Sequence, residues 1–195
     1  MIRFAPETHT YSDNLGELPS VTTILKRLGI VEFKYVSEED LSYKQELGTA
    51  VHEMLHLYDT DNLGKCPPDL EPYLDGWIKF KKDTGCQILE SEKIVWSKRY
   101  RFAGTLDRKM ILYGEKTIVD IKTGVNHPSG QLQTGGYLLA DNEMIKKKAE
   151  QAKNRALVYL PGNGNYKIVN CPDRNDPMTF LACFSVYNWL KSKRR

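Results

Sequence analysis

The segment RFAGTLDRKMILYGEKTIVDIKTG, residues 101–124, limits the fold of this 195-residue chain more than any other part of the sequence. Both halves are rich in β-forming residues, and Gly114-Glu115 between them suits a two-residue hairpin loop with glycine first. The second half contains Ile118, Val119 and Ile121, a run typical of a buried central strand. The sequence therefore predicts a β-hairpin inside a sheet.

Two charged residues, Asp120 and Lys122, interrupt this apolar run. With a Gly114-Glu115 loop, Asp107 lies opposite Lys122, and Asp120 shares that face because alternate residues of a strand point the same way. Diagonal residues on paired strands are about 7–8 Å apart, so two carboxylates could converge on one divalent cation. A one-residue slip would move Asp107 to the other face. A buried ion pair, or an edge strand with a wet face, accounts for the same charges.

Helix and strand signals in the rest of the chain surround this hairpin. Their order is helices, three strands, a helix, two strands and a helix, which favours one α/β domain over residues 1–195. In such a domain, helices flank a central mixed β-sheet. Ser20 and Ser37 are the predicted N-terminal caps of the first two helices. The predicted helices are 20–29, 37–58, 67–85, 128–151 and 176–193, the further strands are 87–97, 155–161 and 166–171, and a short hairpin surrounds 14–16.

The stretch VHEMLH contains the His-Glu-x-x-His spacing of zinc peptidases. In that interpretation His52 and His56 bind zinc from one helix face and Glu53 is the general base. The extended motif needs Gly and His at the third and sixth positions after His56, where the chain has Asp59 and Asn62. A glutamate ligand further along the chain stays open. A zinc site would not explain the charged residues Asp107, Asp120 and Lys122 of the hairpin.

Several short motifs then follow one another in a characteristic order. Between about Ser20 and Tyr137 the chain resembles the PD-(D/E)xK nuclease superfamily. The closest likeness is to its RecB-type branch, which includes virus-encoded exonucleases and CRISPR-adaptation exonucleases. Each motif is short, but their order and their placement on helix and strand are specific. They are Gly48-Thr49-x-x-His52, Gly104-Thr105-x-Asp107, Asp120-x-Lys122 and Gln133-x-x-x-Tyr137.

This resemblance implies a restriction-endonuclease-like core and assigns metal ligands. The side chains of His52, Asp107 and Asp120 and the backbone carbonyl of Ile121 would bind the ion. Carboxylate and carbonyl oxygens suit Mg²⁺ or Mn²⁺, and one imidazole makes Mn²⁺ a good occupant. One or two ions are expected. The four cysteines lack the spacing of the iron–sulfur members, so no such cluster is expected.

Further residues receive catalytic roles from the resemblance. Lys122 would orient the attacking water and stabilise charge on the phosphoryl oxygens. Gln133 and Tyr137 would hold the substrate strand and support the site. Glu92 matches an acidic residue that assists a second metal or Lys122, an exposed strand carboxylate being the alternative. Glu53 and His56 have no family role, so we expect a surface carboxylate and a packed or wet imidazole.

The implied function is a metal-dependent DNA exonuclease that hydrolyses phosphodiester bonds of linear DNA in recombination, repair or viral DNA processing. A structure-specific endonuclease is the alternative. A non-catalytic DNA-binding recombination accessory protein and the zinc peptidase are more remote. The chain has no phosphate-binding loop, so a helicase or recombinase partner would be a separate protein. The lack of a signal sequence or a long apolar run predicts no membrane association and a cytoplasmic protein, in the host cytoplasm if virus-encoded.

Overall fold

Eight strands and five α-helices follow one another along residues 2–31, 38–124 and 127–193, the parts of the chain that the computed structural model describes. The strands are β1 (Arg3–Ala5), β2 (Thr10–Asp13), β3 (Gly16–Leu18), β4 (Gln87–Ser97), β5 (Phe102–Leu112), β6 (Glu115–Lys122), β7 (Asn154–Tyr159) and β8 (Lys167–Asn170). The helices are α1 (Val21–Arg27), α2 (Glu38–Asp59), α3 (Glu71–Thr84), α4 (Ser129–Met144) and α5 (Asp176–Lys193).

The central sheet has five strands in the order β4-β5-β6-β7-β8. All neighbours are antiparallel except β6 and β7, which are parallel and are joined through α4. Strands β1, β2 and β3 form a separate antiparallel sheet. The expected α/β architecture, a central mixed sheet flanked by helices, is confirmed, whereas the first strand of the small sheet was not predicted.

Each face of the central sheet carries its own apolar core. Helices α1, α4 and α5 cover one face, where Val21, Leu106 and Phe180 pack together. Helices α2 and α3 cover the other face, where Leu55 and Trp77 are fully buried. Burying a side chain of this size contributes about 1.5–3 kcal/mol, so the two layers hold the strands between them. Among the described residues, no helix has both the length and the apolar composition needed to cross a lipid bilayer.

The helix ends show how local sequence sets the boundaries. Ser20 caps α1 as predicted, because its Oγ accepts the N–H of Thr23 at 3.0 Å. The cap predicted at Ser37 lies outside the described residues. Helix α4 ends at Met144, seven residues before the predicted end at 151. The reason is a tertiary cap: Gln151 turns back and donates to the carbonyl of Asn142 at 2.9 Å, which satisfies the end of the helix.

The β5–β6 hairpin differs from its predicted register. Its two-residue loop is Tyr113-Gly114, and both residues have positive φ, 51° and 81°. Positive φ at both positions gives the type I′ turn, whose twist matches that of the strands. Leu112 therefore pairs with Glu115, and the predicted loop and the pairing of Asp107 with Lys122 are wrong. Continued by one step, this register would set Asp107 opposite Asp120, but the ladder ends at the pair Arg108 and Val119.

Helix α5 offers a test of the core on the α4 side of the sheet. Phe180 is fully buried, whereas Trp189 on the same helix is 60% exposed. Phe180→Ala should lower the free energy of unfolding by about 3–5 kcal/mol, because the truncated ring leaves a cavity. The matched Trp189→Ala should change it by about 0.5 kcal/mol or less. Urea unfolding followed by circular dichroism measures both, and equal losses would contradict this placement of α5.

Candidate active site

The site begins at a fork between β5 and β6. Their ladder ends at the pair Arg108 and Val119, after which β5 continues beside β4 and β6 continues beside β7. At the fork, Asp107 Oδ2 accepts the backbone N–H of Ile121 at 2.6 Å. A side-chain carboxylate thus replaces the next backbone hydrogen bond of the ladder. The two strands therefore separate beside Asp107 and Asp120, which are both buried.

Strand β5 also changes face at this point. Leu106 packs in the core of α1, α4 and α5, yet Arg108, two residues on, reaches Asp59 at the end of α2. A regular strand would turn both side chains to one face. Across from this break, Glu92 on β4 has a φ of 50°, which is uncommon for any residue except glycine. Local irregularity of this kind is frequent beside functional sites.

Helix α2 brings His52 against these carboxylates. Its Nδ1 lies 3.4 Å from Asp107 Oδ1 and 3.9 Å from Glu92 Oε1. Its Nε2 lies 3.1 Å from the carbonyl oxygen of Ile121. One ligand atom each of His52, Glu92 and Asp107 falls within 4.8 Å of the others, a spacing that could hold a metal ion. Asp120, which the sequence predicts as a ligand, is not part of this triad.

The protonation of His52 and Asp107 follows from their contact. Burial lowers the pKa of His52, but the carboxylates of Asp107 and Glu92 outweigh it and raise that pKa to about 10. Burial alone would raise the pKa of Asp107, yet the neighbouring His52 and Lys122 lower it. His52 is therefore an imidazolium whose Nε2 donates its proton to the Ile121 carbonyl. A metal ion would have to displace a proton to bind that nitrogen.

Asp120 is the least satisfied group of the site. Its side chain is 1% exposed, and neither carboxylate oxygen has a hydrogen-bond partner among the described residues. Lys122 Nζ lies 2.7 Å from Oδ2, a distance close enough for an ion pair but without hydrogen-bond geometry. Burial raises the pKa of Asp120 to about 6, against the opposing charge of Lys122. A buried carboxylate with one ion-pair contact and no hydrogen bond is incompletely compensated, so these oxygens could accept a bound cation.

Lys122 is held in place by a chain of hydrogen bonds that leads to α4. Its Nζ donates to Gln133 Oε1 at 2.9 Å, and Gln133 Nε2 donates to the hydroxyl of Tyr137 at 3.0 Å. The four-residue spacing puts Gln133 and Tyr137 on one face of the helix. Tyr137 in turn packs on Gly104, where an added Cβ would lie 2.6 Å from the ring. The structure thus brings all three predicted residues together and explains the glycine of the motif.

The second histidine of VHEMLH has a different environment. His56 Nδ1 lies 2.7 Å from Ser91 Oγ, and Glu53 is exposed on the outer face of α2. Among the described residues, the metal-ligand triad contains His52 and not His56. The histidine pair of a zinc peptidase is therefore not assembled around one ion. A surface Glu53 and a packed His56 agree with the prediction.

Sequence reasoning missed Arg108. This fully buried residue donates from Nη1 to Glu92 Oε1 at 3.1 Å and to the carbonyl of Asp107 at 2.7 Å. Its Nε donates to Asp59 Oδ2 at 2.8 Å. The available signal was a charged residue directly after Asp107 in a strand that is otherwise buried. Its partners come from α2 and β4, so the contacts themselves are tertiary.

Comparison with known proteins gives a limited result. No protein-family model matches the sequence, and no curated protein matches it. An alkaline exonuclease (LHK-Exo) from Laribacter hongkongensis is similar at 13% identity and a TM-score of 0.39, over 90% of this chain and 92% of the other. LHK-Exo in complex with dAMP is similar at 12% identity and a TM-score of 0.33, over 91% and 93%. Likeness at this level does not assign an activity, which has to be inferred from the side chains of the site.

The contact between Gly104 and Tyr137 can be tested by adding one methyl group. Gly104→Ala should lower the free energy of unfolding by about 1–3 kcal/mol, because the buried ring must move to admit the Cβ. Gly64→Ala is the matched control, since nothing lies within 4 Å of its added Cβ. Urea unfolding compares the two variants. If Gly104→Ala were as stable as the control, Tyr137 would not be packed on the strand.

Proposed function

We propose that residues 1–195 form one metal-dependent DNA nuclease domain of the PD-(D/E)xK type, which hydrolyses phosphodiester bonds. The observation that carries this proposal is the buried carboxylate of Asp120, which lies beside Asp107. Lys122 forms an ion pair with it at 2.7 Å, yet neither oxygen has a hydrogen bond from a described residue. That ion pair reaches Oδ2 and leaves Oδ1 without a hydrogen bond among the described residues. A carboxylate that is buried and unsatisfied next to a second carboxylate supports cation binding.

The ion would be held by residues from both sides of the fork. Asp107, Asp120 and the carbonyl of Ile121 offer oxygen atoms, and His52 offers a ring nitrogen. Glu92 lies in the triad with His52 and Asp107, which supports its inclusion. The oxygen-rich donor set suits Mg²⁺ or Mn²⁺, and the imidazole favours Mn²⁺. A bound divalent ion polarises a phosphodiester and lowers the pKa of water.

The protein's own groups supply the remaining chemistry. Lys122 presents an ammonium beside Asp120, where it can stabilise negative charge that develops on phosphoryl oxygens. Gln133 accepts a hydrogen bond from that ammonium and so limits where it points. Tyr137 fixes Gln133 through its hydroxyl. Because these partners are already in place, little reorganisation is needed when charge develops.

The order of motifs in the sequence supports an exonuclease that acts on linear DNA, with a structure-specific endonuclease as the alternative. The retained carboxylates and lysine support catalysis over a purely DNA-binding accessory role. We place the protein in recombination, repair or viral DNA processing. Any helicase or recombinase would be a separate chain, and the compartment would be the cytoplasm, that of the host for a virus-encoded protein.

The assignment of active residues predicts a specific pattern of lost activity. Asp107→Asn and Asp120→Asn should reduce cleavage of end-labelled DNA in Mg²⁺ or Mn²⁺ to the level seen with a chelator, because each removes a charged oxygen ligand. Lys122→Met should lower the rate by about 10²–10³-fold. The same DNA-cleavage assay measures the activity of all three variants. Full activity of the Lys122 variant would sink the proposed mechanism.

Helix α2 provides matched controls for that assay. His52→Ala should abolish most activity, whereas His56→Ala should keep most of it, because only His52 contacts the carboxylates. Glu53→Gln should also remain active, since Glu53 is exposed. Peptidase activity that is lost in His56→Ala, together with no DNA cleavage by the parent protein, would revive the zinc interpretation.

The exonuclease proposal predicts a requirement for DNA ends. Purified protein should degrade linear single-stranded or double-stranded DNA in the presence of Mg²⁺ or Mn²⁺ and leave covalently closed circles intact. A single nick or cut introduced into the circles beforehand should restore degradation. Cutting of intact circles would instead favour the structure-specific endonuclease.

A further inference from the structure

Arg108 is a buried cation that the proposed chemistry does not use. Its side chain is fully buried, and Nη1 lies between Glu92 Oε1 and the carbonyl oxygen of Asp107. Glu92 Oε1 is also the oxygen nearest to His52. The fully buried guanidinium therefore contacts one member of the metal-ligand triad.

The positive charge of Arg108 is not neutralised by its other partner, Asp59. Asp59 accepts the Nε of Arg108, but it also has its own cation, because Lys81 Nζ lies 2.7 Å from its other oxygen. Trp77 Nε1 donates to the same carboxylate at 3.1 Å. Asp59 is thus satisfied independently, and it fixes the guanidinium without neutralising it. Arg108 remains available to balance Glu92.

The fixed charges of the site then limit how many ions it can take. Once a bound ion has displaced the proton of His52, three carboxylates, Glu92, Asp107 and Asp120, stand against two fixed cations, Arg108 and Lys122. That leaves one surplus negative charge. A single divalent ion converts it into one positive charge, which matches the single negative charge of a phosphodiester. A second ion would leave a large positive excess beside a guanidinium that is buried and cannot move into water.

We propose that the guanidinium of Arg108 takes the place of a second metal ion beside Glu92, so that the site binds only one divalent ion. The guanidinium holds one Glu92 oxygen, and its charge disfavours another ion next to that oxygen. This inference rests on the proposed metal-dependent function and specifies the metal stoichiometry of the same site. It makes Arg108 a positioning residue, because it acts through Glu92.

Binding of Mn²⁺ to the intact protein tests the stoichiometry without any turnover. Titration followed by the electron paramagnetic resonance signal of free Mn²⁺ should give one bound ion per chain. The Asp107→Asn/Asp120→Asn double variant gives the background of surface binding, which is subtracted. Two site-specific ions on the parent protein would overturn the inference and leave the nuclease proposal standing. No site-specific ion at all would overturn both.

Removing the guanidinium should allow a second metal ion to bind beside Glu92. Arg108→Met keeps much of the side-chain volume, and Asp59 retains Lys81 and Trp77, so the fold should persist by circular dichroism. This variant should bind two Mn²⁺ ions per chain. Lys109→Met is the matched control: Lys109 is the next residue of β5, is also buried, and pairs with Asp141 outside the site. It should still bind one ion.

A third variant connects the effect to Glu92. Arg108→Met combined with Glu92→Gln should return the stoichiometry to one ion, because the freed carboxylate that would bind the second ion has gone. A purely structural role of Arg108 would alter stability in both variants and leave the ion count at one throughout. One ion in a folded Arg108→Met protein would therefore overturn the inference. Should that variant fail to fold, the parent stoichiometry alone decides.

Discussion

The hydrogen bond from the Ile121 N–H to Asp107 Oδ2, 2.6 Å long, is the interaction on which the site depends. It stands where β5 and β6 would otherwise have continued their ladder. Because the carboxylate satisfies the buried N–H, the strands can separate without leaving that donor unpaired. The same bond turns the other Asp107 oxygen towards His52. One contact therefore both accompanies the separation of the strands and directs a charged oxygen towards His52.

Both helical layers contribute side chains to the site beside the end of the β5–β6 ladder. Helix α2 supplies His52 from one face, and α4 supplies Gln133 and Tyr137 from the other. Charged groups at the centre of a sheet are tolerated here because each cation has a carboxylate partner and the apolar cores surround them. Two groups are incompletely satisfied among the described residues. Asp120 has the ion pair with Lys122 but no hydrogen bond, and Nη2 of Arg108 has no hydrogen-bond partner. Of the two, only the carboxylate of Asp120 could be satisfied by a further cation.

Much of this arrangement follows from sequence, but not its register. The charges at Asp107, Asp120 and Lys122 and the upstream His52 predict a cluster on one hairpin and one helix, and the structure brings them together. The loop at Tyr113-Gly114 was missed because a left-handed tyrosine is locally unfavourable and is accepted only when the strands require it. The change of face at Asp107 was also invisible, since strict alternation assumes a regular strand. Arg108 and Asp59 meet only after folding.

The irregular backbone of β4 at Glu92 explains why only one of the two histidines of α2 lies near carboxylates. Ser91 and Glu92 are adjacent, so a regular strand would point them to opposite faces of the sheet. The φ of 50° at Glu92 turns both towards α2, where Ser91 contacts His56 and Glu92 approaches His52. The two histidines stand one helical turn apart and are equivalent in sequence pattern. The sheet distinguishes them, because His56 contacts the hydroxyl of Ser91 whereas His52 lies near the carboxylates of Glu92 and Asp107. The irregular backbone at Glu92, more than the motif on the helix, therefore determines where an ion could bind.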